Sequence, residues 1–174
     1  MSEAVIGLLG VGLGFILAMG YQEWKDWRHQ RKIRKQLLQE LRANLSMLPE
    51  KRRNLEAMLD ALKQTKLLSG ESVRFCSIIY GSLYPSVCEH FSIKERNSLH
   101  VIYEYLRVVD STMSKYCDHV MENLDSHNLQ IFVRMYLIQF GDLLKALSDV
   151  EDLIKHHLSG TPTDVLKLER LFKQ

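Results

Sequence analysis

The chain has few of the residues that interrupt helices or cross-link them. Its 174 residues include three prolines and three cysteines. So few prolines leave long helices unbroken. The odd number of cysteines, without metal-ligand spacing, suits free thiols in a reducing compartment rather than a disulfide framework. No stretch alternates apolar and polar residues convincingly over the length of a strand, so we predict an all-α fold.

The sequence also lacks the motifs of common enzyme sites. It has no G-x-x-x-x-G-K-[ST] loop, no dinucleotide fingerprint, no H-E-x-x-H and no G-x-S-x-G. His119 with Glu122, and Asp152 with His156, could each share a helix face, but neither pair has the further ligands that a metal needs. Solvated helix pairs of this kind are ordinary. We therefore predict a non-enzyme with no catalytic residue, metal or cofactor.

One long apolar run lies near the N-terminus. Ala4 to Gly20 is 17 residues without a charge, or about 25 Å of helix, at the short end of what crosses a hydrocarbon core of about 30 Å. Aromatic and basic residues follow it, as is typical of the headgroup level on the cytoplasmic side. We predict a single-pass anchor in the inner membrane, with the N-terminus outside and the remaining chain cytosolic. The predicted interface residues are Tyr21, Trp24, Trp27, Arg28, Arg31 and Lys32.

Two other interpretations of this run are open. A secretory signal peptide should begin with positive charge, but here Ser2-Glu3 precedes the run and the basic residues follow it. A buried helix of a globular core is the second, but five glycines occupy the run, and each would destabilise such a helix by up to about 1 kcal/mol. A retained anchor is the favoured interpretation.

Small residues recur on one face of this run. Gly10, Gly14 and Ala18 are four residues apart, and small residues at this spacing let two membrane helices approach closely. Glycine is also simply tolerated in membrane helices. We predict a homo-oligomer packed through this face.

Positive charge is concentrated beside the apolar run. Residues 22–53 contain ten Lys and Arg against four Asp and Glu, whereas residues 54–174 contain 13 against 16. Anionic lipid attracts such a juxtamembrane excess, and a nucleic-acid-binding domain would more usually carry it on its globular part. We predict the lipid bilayer as a partner and expect no DNA.

The pattern divides the chain into an anchor (1–21), a basic stalk helix (22–48) and a cytosolic helical domain (49–174). No stop signal separates anchor from stalk, so we expect one continuous rod from Ala4 to Leu48, ended by Pro49. Its inward stripe is Ile33, Leu37, Leu41, Leu45 and Leu48, widened by Leu38.

Further helices follow in the domain. A capping box at Ser92 to Glu95 begins the longest of them, and Ser159-Gly160 ends the next. The N-terminal transmembrane helix therefore continues into a cytosolic bundle of about five to six helices with short connections. The predicted further helices span about 50–68, closed by Ser69-Gly70, then 72–83 and 93–124, then a helix between the turn at 125–128 and Ser159-Gly160, and finally 162–172. The predicted inward residues of the two long ones are Leu99, Ile102, Leu106, Val109, Met113, Tyr116, Val120 and Leu124, followed by Phe132, Tyr136, Phe140, Leu143, Leu147, Val150 and Ile154.

Two basic clusters are candidate anion sites. Lys51-Arg52-Arg53 would stand at a helix start, where positive charge is unfavourable for the helix dipole, so a bound anion would neutralise it. The second cluster surrounds the start of the helix after Ser92, whose free N–H groups favour anions. A solvated surface, with Glu50 and Glu95 as local partners, is the alternative for both. The phosphate-binding candidates are Lys94, Arg96, Asn97, His100, Arg52 and Arg53.

The glycine-rich run, the aromatic and basic segment and the Glu-Leu-Arg-x-Asn-Leu helix (Glu40 to Leu45) resemble a loose group of small bacterial membrane-anchored helical proteins. Ile102 to Val109 is similar to a second pattern of that group. The resemblance covers roughly the first 50 residues well. In size and layout the chain is similar to ancillary membrane effectors of type III CRISPR systems, which bind cyclic oligoadenylate and perturb the membrane. The resemblance assigns no ligand-binding residue.

Three functions remain open from the sequence. The first, which we favour, is an oligomeric membrane effector or sensor of antiphage defence whose cytosolic domain binds a nucleotide messenger or another cue. The second is a passive anchor or scaffold that docks a cytosolic protein. The third is a membrane-bound enzyme with an unrecognised site.

Overall fold

The computed structural model of the chain describes residues 3–68, 73–121 and 126–161, with residues 3–11, 121 and 126–128 described by their backbone alone. Every regular element in these ranges is helical, so the predicted all-α fold is confirmed. Three long helices and one short one are present: α1 (Glu3–Lys63), α2 (Ile78–Ser82), α3 (Ile93–Met121) and α4 (Ser126–Leu158). Two 3₁₀ turns, Tyr84–Ser86 and Cys88–His90, separate α2 from α3.

The helix α1 is 61 residues long and contains Pro49 in its interior. The prediction that Pro49 ends the rod and that a separate helix follows is therefore wrong. An interior proline costs about 3 kcal/mol because it removes one backbone hydrogen bond and crowds the preceding turn. Each apolar side chain buried beyond it returns about 1.5–3 kcal/mol, and Leu55, Met58 and Leu62 are all buried. Burial on both sides of the proline keeps the helix continuous.

The domain half of α1 presents one regular seam to the bundle. Its buried positions are alternately four and three residues apart, the spacing that keeps one helix face turned to its neighbours. Two polar side chains, Asn44 and Lys51, occupy this seam among the leucines. The seam consists of Leu37, Leu41, Asn44, Leu48, Lys51, Leu55, Met58 and Leu62.

The helix α4 packs closely on both α1 and α3. Ion pairs and hydrogen bonds set the directions: Arg52 meets Glu151 of α4, and Lys51 meets Asp110 of α3. Together with the Arg34–Glu95 pair, the Lys51–Asp110 pair makes α3 parallel to α1. The helix α4 is antiparallel to both, because Tyr136 near its start meets His119 and His157 near its end meets Ser98. Most of the predicted inward residues of α3 and α4 are confirmed as buried: Leu99, Ile102, Leu106, Val109, Met113, Tyr116, Phe132, Tyr136, Phe140, Leu143, Leu147, Val150 and Ile154. Val120, predicted with them, is half-buried, and Leu124 lies outside the described residues.

The chain from α1 to α3 is less helical than predicted. The helix α1 ends in a turn in which Thr65 N–H bonds to Leu62 and Lys66 N–H bonds to Ala61. Thr65 adopts a left-handed backbone (φ 56°), which is unusual for a β-branched residue. The predicted glycine signal at Ser69-Gly70 and the start of the helix predicted at 72–83 lie outside the described residues. Of that helix only α2 forms.

Residues 73–77 form neither helix nor strand, and Val73 and Ile78 are largely exposed. They cross beside α1 and α3 and are held there by backbone hydrogen bonds to side chains of both helices. Five to six bundle helices are therefore not found in the described part of the chain. The final short helix predicted for 162–172 lies outside it.

Within the residues that the structure describes, no helix has a stretch both long and apolar enough to cross a membrane. The predicted anchor begins with residues 4–11, whose side chains lie outside the description. From Gly12 to His29 every residue of α1 is exposed. This part of α1 therefore extends away from the bundle, which begins to cover the helix at Gln30 and Ile33.

Candidate ligand-binding site

A cavity of about 550 Å³ lies between the segment 74–81 and the outer face of α3. The segment contributes residues 74–77 and, from α2, Tyr80 and Gly81, and α3 contributes residues between Tyr103 and Lys115. The volume is within the range of about 300–1,000 Å³ that holds small-molecule ligands. Its lining residues are Arg74, Phe75, Cys76, Ser77, Tyr80, Gly81, Tyr103, Glu104, Leu106, Arg107, Asp110, Ser111, Ser114 and Lys115.

Three cations line the cavity, and two of them have no ion-pair partner in the described part of the chain. Arg107 donates two hydrogen bonds to Glu104, at 2.6 and 3.1 Å, and these bonds hold the pKa of Glu104 below its usual value. Arg74 and Lys115 are exposed, and neither has an ion-pair partner among the residues that the structure describes. The cavity wall therefore carries an excess of positive charge.

The wall formed by residues 76–80 is fixed by a buried carboxylate of α1. Glu40 is 5% exposed and accepts hydrogen bonds from the backbone N–H groups of Ile79 (2.7 Å) and Tyr80 (3.2 Å). It also accepts one from the Tyr103 hydroxyl at 2.6 Å. These donors satisfy a charge that would otherwise be costly to bury, and they join α1, α2 and α3 at one point.

One turn further along α1, Asn44 pairs with the backbone of Cys76. Its amide nitrogen donates to the Cys76 carbonyl and its amide oxygen accepts from the Cys76 N–H, both at 2.7 Å. This is the pattern by which one strand pairs with another, made here by a side chain. Because Asn44 is fully buried, it holds the segment around Cys76 at a fixed position on α1.

The third polar anchor is the ion pair between Lys51 and Asp110. The Lys51 Nζ is 2.6 Å from one Asp110 oxygen, and the other oxygen accepts from the Phe75 N–H at 2.7 Å. The Lys51 ammonium also lies 4.8 Å from the centre of the Phe75 ring, a favourable cation–π arrangement. The side chains of Lys51 and Asp110 are 4% and 15% exposed, so the segment covers an ion pair that solvent barely reaches.

Stacked tyrosines form the floor of the cavity near α2. The Tyr80 ring lies 4.0 Å from Tyr103 and 5.1 Å from Tyr84, nearly parallel to both. Burial, followed by the hydrogen bond to Glu40, raises the pKa of Tyr103 far above its usual value. Burial also raises the pKa of Tyr80. Both hydroxyls therefore stay protonated, and neither supplies a base at neutral pH.

The four predicted anion ligands at the start of α3 lie outside this cavity. Lys94, Asn97 and His100 are exposed and Arg96 is half-buried. His100 alone comes near the cavity, because its Nδ1 is 3.3 Å from the hydroxyl of Tyr80.

The capping box that begins α3 is confirmed. Ser92 N–H donates to Glu95 at 2.9 Å, and Glu95 N–H donates to the Ser92 hydroxyl at 3.2 Å. Burial alone would raise the pKa of Glu95, but the hydrogen bonds to Ser92 and the charge of Arg34 outweigh it and lower the pKa. A carboxylate of the chain itself thus occupies the helix start that was predicted to take an anion.

The basic cluster Lys51-Arg52-Arg53 is in the interior of α1 rather than at a helix start, so the dipole argument for an anion there is wrong. Lys51 points inward to Asp110, Arg52 pairs with Glu151 at 2.9 Å, and Arg53 is exposed. Two of the three charges therefore have protein partners on different helices.

The predicted membrane-interface residues are all exposed along the projecting part of α1. Two of the basic side chains lie over neighbouring rings: Arg28 is 4.6 Å from the Trp24 ring centre and Arg31 is 5.3 Å from that of Trp27. Tyr21 is 6.1 Å from Trp24, and Lys32 is exposed beside them.

Of the predicted packing face, Gly14 and Ala18 are exposed. A Cβ added at Gly14 would meet no atom within 4 Å. Gly10 lies in α1, but its surroundings are outside the description.

The remaining chemical candidates stay apart. His119 Nδ1 is 2.9 Å from the Tyr136 hydroxyl, its sequence neighbour Glu122 lies outside the described residues, and Asp152 and His156 are exposed. Among the described residues, no three His, Cys, Asp or Glu side chains gather as a metal site would require. No family model, no curated protein and no solved structure matches the chain.

Proposed function

We propose that this protein is a membrane-anchored, non-enzymatic sensor or effector, in which a ligand bound by the helical domain alters the arrangement of the N-terminal helix. The observation that carries this proposal is the continuity of α1. One uninterrupted helix includes the exposed apolar segment and the side chains Glu40, Asn44 and Lys51, which hold a wall of the cavity.

The exposed segment of α1 supports the membrane location. From Gly12 to Gly20 the helix has apolar side chains on all its faces, all of them exposed, and a helix that is apolar all round needs an apolar surrounding such as a bilayer. In the sequence the same run continues back to Ala4. The rings and cations that follow at 21–32 have the composition of a cytoplasmic membrane boundary.

The polar seam of α1 supports the link between cavity and membrane. A ligand that displaces residues 74–81 would strain their hydrogen bonds to Glu40 and Asn44. Both side chains are buried, so water cannot replace the hydrogen bonds that are lost. A rigid helix transmits a rotation or tilt along its length. The domain can therefore report ligand binding to the other end of α1 along one continuous helix.

The cue and the pathway come from the resemblance in layout. By analogy with ancillary effectors of type III CRISPR systems, we propose a nucleotide messenger such as cyclic oligoadenylate, an antiphage role, and perturbation of the inner membrane by a homo-oligomer. The small-residue face at Gly10, Gly14 and Ala18 is the proposed contact between copies. Fold and layout do not by themselves imply function, so the ligand has to be tested directly.

The decisive experiment uses the full chain in lipid nanodiscs and in dye-loaded vesicles. We expect a defined oligomer by mass, a rise in thermal stability with a cyclic oligoadenylate mixture, and ligand-dependent dye release. Gly14→Leu should weaken the oligomer without changing the melting of the domain, because no atom is close to that position. Protein that stays monomeric, binds no nucleotide and leaves vesicles intact would contradict the proposal.

A second candidate function is a passive anchor that docks a cytosolic protein. An exposed apolar stripe on α4, formed by Ile131, Met135 and Ile138, favours it, since these positions lie on one helix face and point away from the bundle. Replacement of residues 1–21 by an unrelated membrane helix distinguishes the two functions. A passive anchor keeps its activity after this exchange, whereas a ligand-driven effector loses it.

A further inference from the structure

We propose that the cavity between residues 74–81 and α3 is the ligand site, and that it takes a phosphate-bearing small molecule of about nucleotide size. The site rests on the proposed function, since it gives the sensor its ligand pocket. It differs from both basic clusters that the sequence pattern favours.

The charge of the cavity wall determines the class of ligand. Arg74, Arg107 and Lys115 approach the cavity from two different elements, so their positive charges surround one volume instead of lying along a single solvated helix face. Two of the three have no ion-pair partner in the described part of the chain. Guanidinium groups bind phosphate oxygens through paired hydrogen bonds, and an ammonium adds a point charge.

Neutral donors add to these charges. The hydroxyl side chains Ser77, Ser111 and Ser114 line the same cavity, and each can donate one hydrogen bond to a phosphate oxygen or accept one from a sugar hydroxyl. A volume of about 550 Å³ is far larger than a lone phosphate needs. The chemistry of the wall and its size together favour a phosphorylated molecule with an organic part.

The acidic groups of the cavity predict how a change of wall charge should alter anion binding. Asp110 is held by Lys51 and by the Phe75 N–H, so its charge is matched within the protein. Glu104 faces the cavity and holds Arg107. A bound polyanion competes with Glu104 for this guanidinium, so removal of the Glu104 charge should strengthen binding.

A free ligand suits this location better than a lipid headgroup. The cavity wall is attached to α1 at Glu40 and beyond, and the twenty residues from Gly20 to Glu40 correspond to about 30 Å of helix. Headgroups remain within a few ångströms of the apolar boundary. Empty vesicles of anionic lipid should therefore not compete with a soluble probe for the cavity.

The test is calorimetric titration of the full chain in nanodiscs with pyrophosphate, ATP and adenosine as probes. We expect ATP and pyrophosphate to bind and adenosine to fail. The double variant Arg74→Gln/Lys115→Gln should weaken ATP binding at least tenfold, and Glu104→Gln should strengthen it. The matched control is Arg42→Gln, which removes an exposed α1 cation away from the cavity and should change nothing.

Each contrary outcome has a separate meaning. ATP binding that survives the double variant but is lost in Lys94→Gln/Arg96→Gln would overturn the cavity as the site and leave the proposed sensor function standing. Binding of neither phosphate probe would overturn the cavity site, and if cyclic oligoadenylate also failed to bind, the sensor function would fail with it. Unchanged melting temperatures of the variants without ligand show that lost binding is not lost folding.

Discussion

The two halves of α1 are one helix in two different environments. Between Gly12 and Gly20 the side chains are apolar on every face and all are exposed. Between Leu37 and Leu62 the side that faces the bundle is buried, and three polar side chains, Glu40, Asn44 and Lys51, are buried there. The half with the more apolar surface is the half that the protein leaves uncovered.

This contrast shows what each half is built to contact. A seam with buried polar groups needs partners at fixed positions, and the domain supplies them from residues 75–80, Tyr103 and Asp110. A surface that is apolar all round needs no fixed partner, only a medium with low polarity. The buried half is specific to one fold, whereas the exposed apolar half fits any apolar surrounding.

The largest effect is expected when charged residues are introduced into the apolar half of α1. Leu13→Lys/Leu17→Lys places two charges within the proposed span, one of them near its centre, at a cost of up to about 5–7 kcal/mol for insertion. We expect full loss of the protein from the membrane fraction after carbonate extraction. The melting of the domain should not change, because both leucines are exposed.

The matched control for this variant is Gln22→Lys/Gln39→Lys, which adds the same two lysines at exposed positions outside the run. It should remain in the membrane fraction. Equal extraction of the two variants would show that the run does not insert.

The next largest effect is expected when a buried charge is removed from the seam of α1. Lys51→Met keeps the length of the side chain but leaves Asp110 as a nearly buried charge without its cation, which should cost about 3–4 kcal/mol of unfolding free energy. Urea denaturation of the full chain in detergent measures it. Lys63→Met is the control, because Lys63 pairs with Asp60 on the surface and such pairs contribute less than about 1 kcal/mol. Similar losses in both variants would contradict the importance of burial.

A smaller effect tests the register of the cavity wall. Asn44→Ala removes both hydrogen bonds to Cys76 and should cost about 2 kcal/mol, since it strands a backbone N–H and a carbonyl. We expect faster amide exchange at Cys76 and its neighbours than in α3. Protection that is unchanged at Cys76 would mean that Asp110 and Glu40 suffice to hold the segment.

The smallest expected effect is a dependence of the stability of the domain on pH, which membrane extraction of the other half of α1 should not share. Burial lowers the pKa of His157 below its usual 6.5, and its Nδ1 lies 3.3 Å from the Ser98 hydroxyl. The unfolded chain then binds more protons than the folded domain, so stability falls as the pH drops below about 6.5. Nearby Glu95 and Arg34 oppose each other in this shift.

His157→Gln should flatten the dependence of the domain melting temperature on pH between 6.5 and 5, while membrane extraction stays constant. A wild-type melting temperature that does not fall over this range would contradict the assignment of His157 as a buried neutral histidine.

Apolar periodicity predicted the buried faces of the long helices because it depends on the sequence of each helix alone. The ends of α3 and α4 were also within reach, since Ser92 with Glu95 and Ser159-Gly160 are local capping signals. Gly160 has the left-handed backbone (φ 77°) that such a helix end requires.

The errors arose where distant residues decide the structure. Pro49 ends a helix by local rules, but burial of α1 on both sides of it overrides them. Thr65 gives no sequence signal for a helix end, and yet it takes the left-handed conformation there.

The cavity could not be predicted from the sequence for the same reason. Its walls come from residues 74–81 and from α3, about 30 residues apart in the sequence. The side chains that fix the first wall appear in the sequence only as polar residues within or beside a leucine stripe. Buried polar residues in a helical seam are a usable signal, because Glu40, Asn44 and Lys51 each needed a partner from elsewhere in the chain.

The proline within α1 allows a small bend of this helix to produce a large displacement of its N-terminal part. Pro49 removes the hydrogen bond to the Leu45 carbonyl between the attachment points at Asn44 and Lys51, where the helix bends most easily. The arm from Pro49 to Gly20 is about 44 Å long. A change of only 10° at the joint would therefore move Gly20 sideways by about 8 Å, close to the distance between two packed helix axes.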